Sequence, residues 1–403
     1  MKNWFVGAWV FAMVVVPTAL VAQDAGVKIG DSNLIPSVKL SYQSTDNAFR
    51  QSEDPVDATG IAVTPTIRWE ADKGRIAVAA QYQGEYFRSS EESLDRTWHT
   101  LLLQGTAAAN SRHRFDTTFA VRDLTESQDE GFSRLVESQT LEELVRFRNV
   151  NARLGYTFGS ISARGNVRFE LLAASRSYTN QVALTDGGDY TVLRPAVDFS
   201  YRVGGDSRAF VTLRQATVDY DRVGSDRTEL SALVGIRLNE NRKLSGDVAI
   251  GAGTTDYDNG TDETTTIVEA GLAYAASSYS NLSLDFSREF VDNDGQASVS
   301  IGSATIQNSA EFAWLFEWSS RIRTIGRLEY TGNDRTCPSN NNAVFLAGLE
   351  VQYQFRRWLS FGVGVDGESN SVDLCSDASE ISGLSADNDY DRMSANVFLR
   401  ASL

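Results

Sequence analysis

The feature that most restricts this 403-residue chain is an alternation with period two over residues 311–330. From Phe312 every second residue is aromatic (Phe312, Trp314, Phe316, Trp318), and the positions between them include Glu311 and Glu317. After Ser319-Ser320 the alternation resumes, setting Ile322, Gly326, Leu328 and Tyr330 against Arg321, Arg323, Arg327 and Glu329. Side chains on a strand point to opposite faces in turn, so each arm of this hairpin has one apolar, ring-rich face and one charged face. A soluble two-sheet sandwich can use the same alternation, but it seldom lines one face with so many rings. A membrane barrel needs this pattern, with lipid outside, a wet lumen inside and aromatic girdles at the interfaces.

Eighteen segments of this kind follow one another between residues 35–45 and 389–403. In one of them Ile61, Val63, Pro65, Ile67 and Trp69 alternate with Thr64, Thr66, Arg68 and Glu70. The pattern slips near residues 147–150, where Arg146 and Arg148 share parity with Leu154 and Tyr156; a bulge accounts for that, as does emergence above the lipid. Tight turns such as Asn110-Ser111, Ser319-Ser320 and Arg356-Arg357 alternate with longer polar stretches such as 46–58, 125–140 and 371–388. The expected fold is all-β: a transmembrane antiparallel up-and-down β-barrel of about 18 strands, with 16 and 20 as neighbouring counts. Short turns are then periplasmic, long loops extracellular, and both termini periplasmic, in the outer membrane of a Gram-negative bacterium.

Residues 1–22 read as a secretory signal, with Lys2, an apolar run over 4–16 and small residues up to Ala22. Residues 23–34 then form a short periplasmic segment and 35–403 the barrel. No later apolar run is long enough for a membrane helix, and barrel strands escape hydropathy scans because their two faces average out.

Charge and rare residues narrow the function. A net charge of -16 argues against nucleic acid. Of the two histidines, His113 sits beside a periplasmic turn, and His99, after Trp98, reads as part of an interfacial belt; we therefore expect no enzyme. The scattered glycines form no phosphate loop, so no cofactor is expected. From Asp366 to Asp391 there are several carboxylates and no Lys or Arg, without EF-hand spacing. We expect no metal centre there, but a solvated acidic surface that meets lipopolysaccharide through divalent cations. Cys337 and Cys375, both in long loops, are candidates for a disulfide in an oxidising compartment.

Parity assigns Arg68, Arg164, Arg168, Arg194, Arg202, Arg214, Arg321, Arg323 and Arg327 to the lumen, together with Glu311 and Glu329. Two readings stand side by side. One is a wet conduit with a slight anion preference, since guanidinium forks suit carboxylate and phosphate. The other is a self-neutralising ladder of mixed sign that keeps the lumen hydrated.

Thr45-Asp46-Asn47-Ala48-Phe49-Arg50 and Ser111-Arg112-His113-Arg114-Phe115 resemble recurring features of the putative β-barrel porin type 2 family. The last strand, with Met393, Ala395, Val397, Leu399, Ala401 and Leu403 on one face, looks like the signal read by the barrel assembly machinery, with Leu where an aromatic residue is favoured. Members of that family often accompany exopolysaccharide or capsule systems. The resemblance implies a channel for hydrophilic, anionic saccharide solutes or an exported exopolysaccharide, with outer-membrane lipid, lipopolysaccharide, the assembly machinery and exopolysaccharide export components as partners. The rival expectation is a structural or adhesive surface barrel whose acidic extracellular loops carry the function.

Overall fold

The computed structural model describes residues 26–126, 143–185, 187–205, 207–221, 226–238, 243–258, 262–291, 305–335, 341–373 and 389–403. Its strands are β1 (Val27–Ile29), β2 (Ser32–Thr45), β3 (Ala58–Asp72), β4 (Ile76–Ser89), β5 (Arg96–Ala108), β6 (His113–Thr125), β7 (Arg146–Phe158), β8 (Gly165–Tyr178), β9 (Tyr190–Gly204) and β10 (Ser207–Tyr220). They continue as β11 (Arg227–Leu238), β12 (Leu244–Tyr257), β13 (Asp262–Ser277), β14 (Ser280–Val291), β15 (Thr305–Glu317), β16 (Ile322–Arg335), β17 (Asn341–Arg356), β18 (Leu359–Asp373) and β19 (Tyr390–Ser402).

From β2 onward each strand pairs antiparallel with the next in sequence, and β19 returns to β2 from Ser394↔Thr45 to Ser402↔Ser37. The wall is therefore a closed ring of eighteen strands, β2 to β19. Closure removes the unpaired edges that a lipid environment cannot satisfy. The three-residue β1 folds back on the start of β2, pairing Val27 with Leu34 around Gly30 at φ +61°. The first wall strand thus begins at Ser32, slightly before the expected residue 35.

Directly paired residues share a face, so one anchored strand assigns faces around the ring. On β2 and β3, Val38, Leu40, Tyr42, Ile61, Val63 and Ile67 are exposed, whereas their alternates Ser41, Ala62 and Thr64 are buried. Apolar side chains face outward and small or polar ones inward, the inverse of a soluble domain.

One rim carries the connections 73–75, 109–112, 159–164, 205–206, 239–243, 278–279, 318–321 and 357–358. The other carries 46–57, 90–95, 126–145, 179–189, 221–226, 258–261, 292–304, 336–340 and 374–389. Outward rings gather near the short-turn rim: Phe316 lies 5.5 Å from Trp314, 4.6 Å from Trp318 and 5.6 Å from Tyr279. His113 joins Tyr156 and Phe158 there.

Toward the opposite rim the outward face turns polar. Arg148 Nε donates to Asp123 Oδ1 at 2.6 Å, and Arg288 donates to Asn308, which donates to Asp334. The β6–β7 register runs unbroken from His113↔Phe158 to Thr125↔Arg146. The slip at Arg146 and Arg148 is therefore no bulge: the strand continues past the apolar band, where Arg148 pairs with Asp123 of β6 and Arg146 with Glu143.

Candidate functional site: the lumen wall

The inward face sorts its charges by position around the ring. Strands β6 to β11 present Arg114, Arg122, Arg153, Arg168, Arg176, Arg194, Arg202, Arg208, Arg214, Arg227 and Arg237, against Asp116, Glu170, Asp198 and Glu229. Strands β12 to β18 present Asp247, Glu263, Glu269, Asp285, Glu289, Glu311, Glu317, Glu329, Glu350, Asp366 and Glu368, against Arg323 and Arg327. The two signs thus concentrate on different arcs of the wall, while Lys39, Arg68, Glu70, Glu85, Arg96, Arg392 and Arg400 mix on β19 and β2 to β5.

Part of the basic half is tied down. Arg168 donates from two nitrogens to Asp116, at 2.6 and 2.7 Å, and also reaches Glu170 at 3.1 Å. Arg153 meets the same Glu170 at 2.6 Å. Arg214 reaches across to Glu269 on β13 with both terminal nitrogens. Arg122 and Arg194 form no ion pair among the described residues.

Nearer the short-turn rim, Arg208 is paired in register with Arg202 on one side and Arg237 on the other. Like charges directly opposite each other are destabilising. Arg202 and Arg208 each donate from Nη2 to the Ile161 carbonyl, at 3.1 and 2.9 Å, and Arg208 also to that of Ala163 at 2.7 Å. Two nitrogens sharing one oxygen lie within roughly 6 Å, where unit charges at an effective dielectric of ~20 repel by about 3 kcal/mol. Arg114 reaches the Gly159 carbonyl at 3.4 Å, and Arg237 lies 3.6 Å from Asp198, which also accepts from Thr212. The buried Nε of Arg114, Nε of Arg202 and Nη1 of Arg208 have no hydrogen-bond partner among the described residues.

The acidic half is built differently. Asp285, Glu311 and Glu329 stand at consecutive register positions on β14, β15 and β16, with no ion pair among the described residues. Higher on the wall, Glu368 accepts from Arg50 at 3.0 Å, Arg392 at 3.1 Å and the Tyr390 hydroxyl at 2.6 Å. Arg50 belongs to the connection 46–57, which this contact holds against the wall while Ala48 and Phe49 bury themselves with Ala58, Val56 and Leu94. Asp366, Glu368 and Asp373 are residues of β18. Asp377, Glu380 and Asp387 lie outside the described residues.

A repeated construction went unseen in the sequence. Inward Phe87, Phe210 and Phe398 each lie flat over a glycine of the neighbouring strand and carry a cation on the ring. A Cβ at Gly60, Gly235 or Gly362 would come within 2.3, 2.6 or 2.2 Å of the respective ring. Arg96, Arg237 and Lys39 sit 4.1, 4.6 and 4.4 Å from the three ring centroids. Such a sandwich keeps both ring and cation close to the wall. Its sequence signal is a glycine and a phenylalanine at inward parity, which is meaningful once the register is known.

Among the predicted lumen residues, Arg68 faces inward and meets Glu70 at 3.1 Å, and Arg168, Arg194, Arg202, Arg214, Glu311, Arg323, Arg327 and Glu329 also face inward. Arg323 donates to Gln352 at 2.6 Å and Arg327 to Asp366 at 3.1 Å. Arg164 and Arg321 are corrected: both are exposed residues of the connections 159–164 and 318–321, outside the wall strands. Alternation of residue types carries on into a turn, so parity alone does not mark where a strand stops. His99 faces outward, 3.0 Å from the Tyr82 hydroxyl, with its ring against Tyr82 and Tyr86. Cys337 and Cys375 lie outside the described residues. Among the described residues no three His, Cys, Asp or Glu side chains converge as metal ligands would.

Solved structures similar to the chain include the FrpB iron transporter (F3-3 variant) from Neisseria meningitidis, 10% identical with a TM-score of 0.45 over 89% of this chain and 64% of that one. The chain thus spans under two thirds of that transporter. They also include the outer membrane protein OpdK from Pseudomonas aeruginosa, 9% identical, TM-score 0.46, covering 92% of this chain and 99% of that one. OpdQ from the same organism is 12% identical, TM-score 0.44, with 93% and 98% covered. No curated protein matches the sequence. The model of the family described as putative beta-barrel porin 2 matches residues 22–396, nearly the whole chain, and the chain belongs to that family.

Proposed function

We propose that this porin-like barrel is a channel for hydrophilic solutes, and that these are anionic saccharides or an exported exopolysaccharide chain. The observation behind this reading is the sorted lumen. Eighteen strands enclose more space than side chains alone fill, since barrels of about eight strands are already packed by their interiors. Arg122, Arg194, Arg202 and Arg208, which have no carboxylate partner among the described residues, offer weak contacts to carboxylate, phosphate and sugar hydroxyl groups. Facing carboxylates keep any one anion from binding too tightly, and conduction requires contacts weak enough to release the solute. In this reading the short-turn rim is periplasmic, both termini lie there, and the acidic long-loop rim meets lipopolysaccharide. Strand β19 is the handle for the assembly machinery.

Planar-bilayer conductance with reversal potentials under a salt gradient tests the channel. Open steps with measurable saccharide block are expected. A silent bilayer from a folded, heat-modifiable barrel would favour a structural or adhesive surface protein. Epitope tags at Asp129 or Asn340 should be reachable on intact cells and a tag at Ser320 should not; the reverse would invert the orientation.

A further inference from the structure

We propose that Arg202, Arg208 and Arg237, with Arg114 beside them, form an oxyanion subsite at the short-turn end of the lumen, taking a phosphoryl or carboxylate group. It deepens the channel reading by naming where, and by which group, a solute is held.

Three observations converge on it. First, the three arginines occupy directly paired register positions on β9, β10 and β11, so their charges are held side by side at one level of the wall. Arginine does not relieve such crowding by losing a proton. Secondly, carboxylates do not neutralise the row: Asp116 accepts from two nitrogens of Arg168, and Asp198 pairs with Arg237 at 3.6 Å, which leaves Arg202 and Arg208 without a carboxylate partner among the described residues. Thirdly, the anchoring is one-sided. Arg202 and Arg208 each spend Nη2 on carbonyls of the connection 159–164, which fixes the guanidinium planes, while Arg202 Nε and Arg208 Nη1 are buried without a partner among the described residues. Arg114 repeats the arrangement, bonded to the Gly159 carbonyl with its Nε unpartnered. Pre-oriented guanidinium forks with unused donors match an anion that offers two oxygens, and an incoming anion both fills those donors and removes the repulsion.

Calorimetric titration of the purified full-length barrel in detergent, in a buffer without oxyanions, decides this, with inorganic phosphate and glucuronate as probes. Saturable binding of either one supports the subsite: phosphate alone assigns it to phosphoryl groups, glucuronate alone to carboxylates. Arg208→Gln should weaken that binding at least tenfold, and Arg400→Gln, inward on β19 and outside the row, should leave it unchanged. If Arg208→Gln fails to fold, Arg208→Lys serves, since it keeps the charge and loses the fork; weaker binding is again expected. No binding to the wild-type barrel would overturn the proposal and leave these arginines as braces for the connection 159–164. Equal weakening by Arg400→Gln would overturn it too, as the sign of a diffuse field. The two readings fail separately: binding with a silent bilayer removes the channel and keeps the subsite, while conductance without binding does the opposite.

Discussion

The β6–β11 arc of the wall and the β12–β18 arc share one backbone construction and differ in the charge of their inward side chains. In the basic half most guanidiniums are engaged, by carboxylates at Arg153 and Arg168, by turn carbonyls at Arg202 and Arg208, or by a ring at Arg237. In the acidic half, Asp285, Glu311 and Glu329 line up without basic partners among the described residues. The contrast follows from side-chain reach. Arginine is long and planar and finds acceptors along the wall, whereas a carboxylate on a short stem stays where its strand puts it. A barrel can therefore hold a transverse field between two halves that are each rigid.

The largest expected effect comes from removing one half's charge. Changing Arg122, Arg194, Arg202 and Arg208 together to Gln should move permeability toward cations by about tenfold, equivalent to about 1.4 kcal/mol. Changing Asp285, Glu311 and Glu329 to Asn, Gln and Gln should move it the other way. Reversal potentials that shift in the same direction for both sets would show that the sorting does not govern selectivity.

The next test concerns the sandwiches that keep rings and cations against the wall. Gly362→Leu forces Phe398 off its seat and should cost about 1–3 kcal/mol in the unfolding midpoint, with a lower single-channel conductance. Gly367→Leu on the same strand faces outward into open space and should change neither. Equal losses in both variants would remove the flat-ring explanation.

A smaller effect is expected where the long-loop rim meets the acidic half. Arg50→Ala should cost about 1–2 kcal/mol, because the Arg50–Glu368 pair is half-buried and one of several contacts on that carboxylate. Thermolysin cleavage within 46–57 should quicken while the heat-modifiable band stays unchanged. Unaltered cleavage would mean that Ala48 and Phe49 hold the connection without the ion pair.

The smallest effect concerns Cys337 and Cys375. Their segments leave β16 and β18 on the same rim, and Asn341 pairs with Asp373 between them. We expect them bonded, with no maleimide-reactive thiol until the protein is both denatured and reduced, and with reduction leaving the wall intact. Two reactive thiols in denatured, non-reduced protein would rule the bond out.

The sequence by itself determined the strand faces, the number of wall strands and the alternation of connection lengths. Each of these is a local property: period two reads off the face of Phe312 or Glu311 without knowing any neighbour. The sorting of charge was legible as well, because an up-and-down barrel maps chain order onto position around the ring. The inward arginines concentrate before residue 240 and the inward carboxylates after it. What only the tertiary structure decided was contact between strands: that Arg208 stands between Arg202 and Arg237, that Phe398 lies on Gly362, that Glu368 collects Arg50, and that Arg164 and Arg321 fall outside the wall. Those facts depend on register and on where each turn closes. A shift of two residues along a strand preserves every face and changes every neighbour, so no pattern within one strand can encode them.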